Sequence, residues 1–186
     1  MDLNYIVPKQ FKATADRLGS QVAMRHKEFG LWQEVTWTEY YAAAEKLASG
    51  LLELGVQKGD FVGVIGENCP NWLYIDMATQ MIGATTVGIY TTNAWEQVAY
   101  VVKHAECKVL FAENEEQVDK WLRFRNDCPS LEWVIYWEDK GLQTLQEEQL
   151  LSWETITERG ADKLTENRST ITTLSESIQE DDTAIL

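Results

Sequence analysis

The glycine-containing segment from Phe61 to Trp72, FVGVIGENCPNW, has the clearest potential for chemistry. A short apolar run, a glycine and a helix start follow one another, which is the layout of a phosphate-binding turn. A dinucleotide turn requires Gly-x-Gly-x-x-Gly, and an ATP loop requires Gly-Lys-Ser/Thr, yet only Gly63 and Gly66 are present. Glu67 would also place a negative charge beside the phosphate. The pattern favours a structural strand-to-helix joint, in which Gly63 permits close packing.

His104 and Cys107 form the second candidate, since residues three apart can share one face of a helix. A zinc site usually needs at least three protein ligands, and Cys69 and Cys128 lie far away in the sequence. Nucleophilic catalysis by a Cys–His pair would also need a third group to orient the base, and none is apparent. The sequence therefore predicts no metal site.

Hydroxyl groups are concentrated in the segment from Thr85 to Asn93, TTVGIYTTN. Such groups can bind a ligand at a strand end, or they can cap the following helix and satisfy loop backbone groups. The second interpretation is favoured, with Thr92 or Asn93 as the cap. The eight tryptophans are too scattered to form a stacking platform, and most are expected in the core or at interfaces.

The first half of the chain predicts a hairpin and an amphipathic helix. Residues 21–37 alternate loosely around Glu28-Phe29-Gly30, which is typical of two strands joined by a turn. Thr38 has the character of a helix N-cap, and Gly55 can end the helix with positive φ. An apolar stripe lies between them at steps of four and three: Tyr40, Ala44, Leu47, Leu51 and Leu54.

Strands and helices then alternate with short connections. Asn68 is a plausible cap for a helix that has Pro70 in its first turn and stops at Gly83. The other predicted elements are strands at 61–65, 84–90, 108–112 and 131–137, and helices ending at Lys103 and spanning 115–125. This alternation predicts an α/β layered domain with a largely parallel sheet flanked by helices, preceded by a β-hairpin.

The composition changes after Trp137. Residues 138–182 contain 12 acidic and 4 basic side chains, with many Thr, Ser and Gln. A helix is expected at 150–158 and an exposed connector at 167–182. Residues 21–137 are therefore interpreted as the α/β core and 138–182 as an acidic helix and connector. Thr183 to Leu186 begins an apolar run typical of a central strand, which would leave an exposed apolar flank.

The bulk properties exclude several classes of function. A net charge of −14 disfavours nucleic acid and anionic membrane surfaces. No stretch of 18 apolar residues predicts a transmembrane segment, and the N-terminal residues do not resemble a secretory signal. Three widely spaced cysteines indicate free thiols in a reducing cytoplasm, while peripheral association with membranes and the oligomeric state are left open.

Residues from about 10 to 186 resemble the N-terminal part of an acyl-CoA synthetase of the adenylate-forming, AMP-binding superfamily. The matching pieces occur in order: VTWTEY, LASGLLELGVQKGD, VIGENCPNW and MIGATTVGIYTTN, followed by Glu96-Gln97, VLF and LSWE. The GIYTTN and VLFAENEEQVDKW forms are most similar to the long-chain fatty acid branch. Each piece is common, but the ordered set is specific.

The resemblance implies a two-step ligation in which ATP and Mg²⁺ activate a fatty acid as acyl-adenylate and CoA then displaces AMP. In the family, the FVGVIGENCPNW joint belongs to the scaffold. The family's phosphate loop would follow a segment like Asp181 to Leu186, so the resemblance assigns no catalytic, cofactor-binding or metal-binding residue to this chain. We expect residues 1–186 to be part of such a ligase, to bind no cofactor tightly by themselves and to depend on residues beyond Leu186. A short non-catalytic interaction module or subunit derived from such an enzyme is the alternative.

Overall fold

The computed structural model describes residues 6–186 as an α/β domain. Residues 1–5, the first part of the N-terminal segment considered for a secretory signal, therefore lie outside the described residues. The helices are α1 (Val7–Leu18), α2 (Trp37–Glu53), α3 (Pro70–Met81), α4 (Trp95–His104), α5 (Glu115–Phe124) and α6 (Trp153–Glu176). The strands are β1 (Val22–Glu28), β2 (Leu31–Thr36), β3 (Phe61–Ile65), β4 (Thr85–Ile89), β5 (Val109–Ala112), β6 (Trp133–Tyr136) and β7 (Leu150–Ser152). Between residues 6 and 186, no helix is long and apolar enough to cross a bilayer.

The predicted fold class is confirmed. Strands β1 and β2 form an antiparallel hairpin, and β3 to β7 form a parallel sheet in the order β4-β3-β5-β6-β7. The chain moves from β3 outward to β4 and then crosses β3 to continue with β5, β6 and β7. The order of the strands therefore reverses direction between β3 and β5.

Helices cover both faces of this sheet, as a buried parallel sheet requires. Helices α1, α2, α3 and α6 pack on one face, while α4 and α5 pack on the other. Successive strand residues point to opposite faces, so that Val109 and Phe111 face the first layer and Leu110 and Ala112 face the second. All five residues of the predicted stripe on α2 are buried, which confirms that it faces the core.

The observed helix starts differ from the predicted caps, and Asn68 does not cap α3. Helix α2 is capped by Thr36, not Thr38, and Thr36 and Glu39 form a reciprocal capping box. Helix α3 follows Cys69 without a side-chain cap, although Pro70 does occupy its first position.

The start of α4 also corrects a prediction. Ala94 is the N-cap residue, and its backbone N–H donates to Oε1 of Gln97 at 3.0 Å. Neither Thr92 nor Asn93 therefore caps this helix. Gln97 instead supplies from within the helix an acceptor for the backbone N–H of the N-cap residue.

The acidic C-terminal part is more regular than its composition predicts. Residues 150–152 form strand β7 instead of a helix, and helix α6 continues through 167–176, where an exposed connector was expected. The sparse apolar residues of α6, among them Ile156 and Ile171, are buried against the core. Tertiary packing stabilises a helix whose local sequence is largely polar. Helix α1 is absent from the predicted elements and packs on α2 through Phe11.

The last residues behave as a strand, as predicted. Thr86 N donates to Ala184 O, and Leu186 N donates to Thr86 O, which places residues 184–186 parallel to β4. Ile185 and Leu186 remain exposed. The expected apolar flank is therefore present at this edge of the sheet.

Two glycines allow α2 and α6 to approach closely. A Cβ atom added at Gly160 would lie 2.0 Å from the backbone oxygen of Lys46 and 2.9 Å from the backbone nitrogen of Gly50. A Cβ atom at Gly50 would lie 2.6 Å from the backbone oxygen of Ile156. Backbone atoms cannot move aside as a flexible side chain can, so both glycines are required by the helix–helix contact.

We expect Gly160→Ala to destabilise the protein by about 1–3 kcal/mol, despite alanine's higher helix propensity, because the added methyl overpacks the α2–α6 contact. Urea unfolding followed by circular dichroism measures this change. Gly88→Ala is the matched control, since its added Cβ would meet Trp72 at an ordinary 3.7 Å. Equal midpoints for Gly160→Ala and the wild type would contradict the close contact.

Candidate functional site

The candidate site lies at the carboxyl ends of β3 and β5, where the strand order reverses. In open parallel sheets, ligands bind in the crevice outside the strand ends at this point. The glycine turn, Gly66-Glu67, follows β3 directly, and Glu113-Asn114 follows β5. Ile65 and Ala112 are partners in the parallel ladder, so the two turns are adjacent.

Trp137 occupies the space above Gly66. A Cβ atom added at Gly66 would lie 2.3 Å from Cζ2 of Trp137 and 3.1 Å from Cβ of Glu113. Gly66 is therefore needed for packing against an indole ring. Gly63 has a similar role inside β3, where a Cβ atom would lie 2.9 Å from Cδ1 of Leu110. The prediction that Gly63 permits close packing is confirmed.

Glu113 connects the two turns through its side chain and its backbone. Its Oε2 atom accepts a hydrogen bond from the Glu67 backbone N–H at 3.0 Å, and its own N–H donates to Ile65 O at 3.0 Å. The backbone oxygen of Glu113 accepts from the Glu138 N–H at 2.8 Å. With 8% of its surface exposed, Glu113 is a buried acidic residue held by three hydrogen bonds.

The environment of Glu113 disfavours its negative charge. Burial raises the pKa of its carboxyl group, the hydrogen bond from Glu67 N–H opposes this change, and the nearby Glu138 and Glu67 carboxylates raise the pKa further. The negative charges of these carboxylates would therefore repel a bound phosphate at this turn.

A chain of polar contacts extends from the glycine turn to α5. The Thr91 hydroxyl donates to Oε1 of Glu67 at 2.7 Å, and Nζ of Lys120 donates to the Thr91 backbone oxygen at 2.5 Å. Lys120 also donates to Gln117 and pairs with Glu116. The Thr91 hydroxyl thus contacts a carboxylate side chain and not a loop backbone group, whereas the Thr85 hydroxyl of the same segment donates to the backbone oxygen of Thr183 at 2.9 Å.

These contacts join the strand ends into a rigid support. The Glu67 N–H of the glycine turn donates to a carboxylate of the protein itself, and Lys120 is held by protein oxygens. The geometry supports the interpretation of the glycine turn as a structural joint. A phosphate in this position would have to displace Glu113 and overcome repulsion by Glu67.

The structure separates the second candidate pair. His104 is the last residue of α4 and stacks on Tyr100 at 5.5 Å between ring centroids, while Cys107 is buried beyond the end of that helix. The pair, which could have shared a helix face, therefore does not do so. Cys128, distant in sequence, lies in the same apolar cluster as Cys107. Residues 6–186 contain no group of three potential metal ligands.

Comparison with known proteins identifies the family. The family model for the AMP-binding enzyme matches residues 11–186. The chain belongs to this family. It is 30% identical to the long-chain-fatty-acid–CoA ligase ACSBG2 of Xenopus laevis over 154 residues, which cover 82% of this chain and 20% of the relative. The human protein of that name is 30% identical over 155 residues, covering 83% and 23%. The chain thus spans about a fifth of the length of these relatives.

Solved structures of the family share the fold. The anthranilate CoA ligase AuaEII in complex with anthranoyl-AMP aligns with a TM-score of 0.73 at 20% identity, over 85% of this chain and 29% of that one. Acetoacetyl-CoA synthetase from Streptomyces lividans aligns with a TM-score of 0.70 at 24% identity, over 81% and 24%. The AMP-binding family fold predicted by resemblance is therefore confirmed.

The site contains residues that the sequence did not single out. Glu113, Trp137 and Lys120 come from separate elements and converge on the glycine turn only in the folded chain. An acidic residue directly after the apolar run VLFA was the available signal for Glu113, because it mirrors Glu67 after VGVIG.

We expect Glu113→Gln to stabilise the protein slightly at neutral pH, because glutamine keeps an oxygen acceptor for Glu67 N–H without a buried charge. The native pKa is raised above the ordinary value of 4.5, so the wild type loses stability as pH rises through that range. The advantage of the variant should be absent below pH 4.5 and reach its maximum at neutral pH. Melting temperatures from pH 4 to 8 measure it.

Glu116→Gln on the exposed side of α5 is the control for removing an acidic charge from this region. An advantage of Glu113→Gln that stayed constant with pH would contradict the buried-charge explanation.

We also expect the three thiols to react with a maleimide at different rates. Burial raises the pKa of all three thiols, that of Cys107 to about 12, so their exposure decides the order. Cys107 and Cys128 are buried and should react only after unfolding, while the partly exposed Cys69 reacts first. Mass spectrometry in buffer and in urea measures this difference. Rapid labelling of Cys107 in the native state would contradict the packing of the α4–α5 layer.

Proposed function

We propose that this chain forms the scaffold part of an ATP-dependent ligase that joins long-chain fatty acids to CoA. Membership of the AMP-binding family supports the ligase class. The curated relatives named long-chain-fatty-acid–CoA ligases, at about 30% identity, support a long-chain fatty acid as the substrate.

By resemblance to the family, the complete reaction has two steps. The fatty carboxylate attacks the α-phosphorus of ATP, which releases pyrophosphate and forms acyl-adenylate. The CoA thiol then attacks the acyl carbon, which releases AMP and forms the thioester. Mg²⁺ would offset the charge of the polyphosphate in the first step.

The contact between Glu113 and Glu67 N–H carries the assignment of a scaffold role to residues 1–186. This amide lies in the turn at the switch point, and a buried carboxylate already accepts its hydrogen bond. The ATP phosphates would therefore be held by a different segment of the complete ligase. The sheet and its helices would position that segment and form one wall of its cleft.

The strand formed by residues 184–186 supports the same proposal. It extends the parallel sheet beside β4. Its last residue, Leu186, lies toward the carboxyl ends of the strands, which is the edge where ligands bind in open parallel sheets. A loop that followed this strand would lie near the glycine turn and Thr91. The scaffold would thus place a phosphate-binding loop without itself contacting the phosphates.

We expect the purified 186-residue chain to show no fatty-acid-dependent exchange of labelled pyrophosphate into ATP. It should also show no rise in melting temperature with millimolar ATP and Mg²⁺, because a ligand stabilises a protein only by binding its native state. A full-length long-chain-fatty-acid–CoA ligase is the positive control for both measurements. Exchange above the background of a no-enzyme control would refute the scaffold assignment.

A further inference from the structure

The tip of the β1–β2 hairpin carries an exposed apolar group. This hairpin apex consists of Phe29, Gly30, Leu31 and Trp32. The exposed fractions of Phe29, Leu31 and Trp32 are 99%, 67% and 66%. The other seven tryptophans are buried or half-buried, so Trp32 is an exception to the expectation that the tryptophans are covered.

The backbone conformation at this apex is energetically unfavourable for a phenylalanine. Phe29 has φ of +47° and Gly30 has φ of +82°, the two positive values of a type I′ turn. Such a turn favours Asn-Gly, whereas a bulky residue at positive φ is uncommon. Among residues 6–186, nothing covers the Phe29 side chain, so packing within this part of the chain does not compensate for this conformation. A contact outside the described residues would account for phenylalanine here.

The charge near the apex differs from that of the rest of the chain. Residues 22–36 contain two basic side chains, Arg25 and Lys27, and two acidic ones, Glu28 and Glu34, so the hairpin is neutral while the whole chain carries −14. Arg25 pairs with Glu34 at 2.8 Å, and the Lys27 ammonium lies 5.8 Å from the Trp32 ring centroid. Because the hairpin has no net charge, its own charges do not oppose its approach to an uncharged apolar surface.

We propose that the hairpin apex inserts into the interface of a zwitterionic phospholipid bilayer. Tryptophan and phenylalanine favour the boundary between headgroups and acyl chains, and Lys27 is long enough to keep its ammonium at the headgroups. The acidic body disfavours an anionic bilayer, which selects zwitterionic lipid as the partner.

The size and shape of the apex favour lipid over a protein partner. Three side chains on a convex turn expose roughly 400–500 Å² of apolar surface. A stable protein interface requires about 800 Å² from each partner, with complementary shape. A bilayer needs no complementary surface and accepts a narrow protruding turn. This inference does not depend on the proposed ligase function.

Flotation of the 186-residue chain with phosphatidylcholine vesicles tests the proposal. We expect the wild type to float with the vesicles and Phe29→Asn/Trp32→Thr to lose at least about tenfold in partition coefficient, because two apolar side chains no longer leave water. Asparagine suits the type I′ turn, so the variant should remain folded, with the wild-type circular dichroism spectrum. Replacing part of the lipid with phosphatidylserine should weaken wild-type binding.

Tyr100→Ser is the matched control, since Tyr100 is equally exposed at 67% but lies on α4. It should float as the wild type does.

Brominated phosphatidylcholine should quench tryptophan fluorescence in the wild type, and Trp32→Phe should keep binding while losing most of this quenching. Failure of the wild type to float, or equal flotation of the double variant, would overturn the proposal. Concentration-dependent self-association abolished by the double variant, without flotation, would instead identify a second copy of the chain as the partner.

Discussion

A parallel β-sheet in water must have both of its faces covered, and this constraint organises the domain. The strands β3, β5 and β6 are short apolar runs that cannot leave one face in solvent. Helices α4 and α5 cover one side, while α2, α3 and α6 cover the other. The layer that contains α2 and α6 closes only because Gly50 and Gly160 allow these two helices to touch backbone to backbone. The long, polar helix α6 is therefore an integral part of the core.

The same constraint determines where ligand chemistry could be placed. Parallel strands bring all their carboxyl ends to one edge, and the reversal between β3 and β5 opens a crevice there. In this chain, Trp137 packs over Gly66 and Glu113 accepts the hydrogen bond of the Glu67 amide. The Glu113 side chain links the two turns through a hydrogen bond, although burial disfavours its negative charge. For a member of the AMP-binding family, this arrangement favours a division between a scaffold and a separate phosphate-binding segment.

The hairpin stands apart from these layers in its packing and charge. Its base is tied to the core through Thr36, which caps α2, and its tip has a strained, fully exposed phenylalanine. The rest of the domain is strongly acidic. The neutral apolar tip of the hairpin is therefore a surface that favours an apolar environment over water. If the complete ligase acts on fatty acids, such a surface would bring it close to where these substrates dissolve.

The sequence by itself determined the α/β alternation, the buried stripe of α2 and the family, because local periodicity and ordered motifs are properties of neighbouring residues. It also indicated that the glycine turn lacked the residues of a phosphate loop. Tertiary structure alone decided that residues 167–176 are helical, since a polar segment becomes a helix when Ile171 and Gly160 can pack on α2. Tertiary structure also decided the contacts of Glu113, Trp137 and Lys120, because these residues are far apart in the chain and meet only where strand ends converge. Several oxygen atoms near a helix start can accept hydrogen bonds from its N–H groups, and composition does not tell which of them will do so. At the start of α4, the acceptor for the Ala94 N–H is the Gln97 side chain.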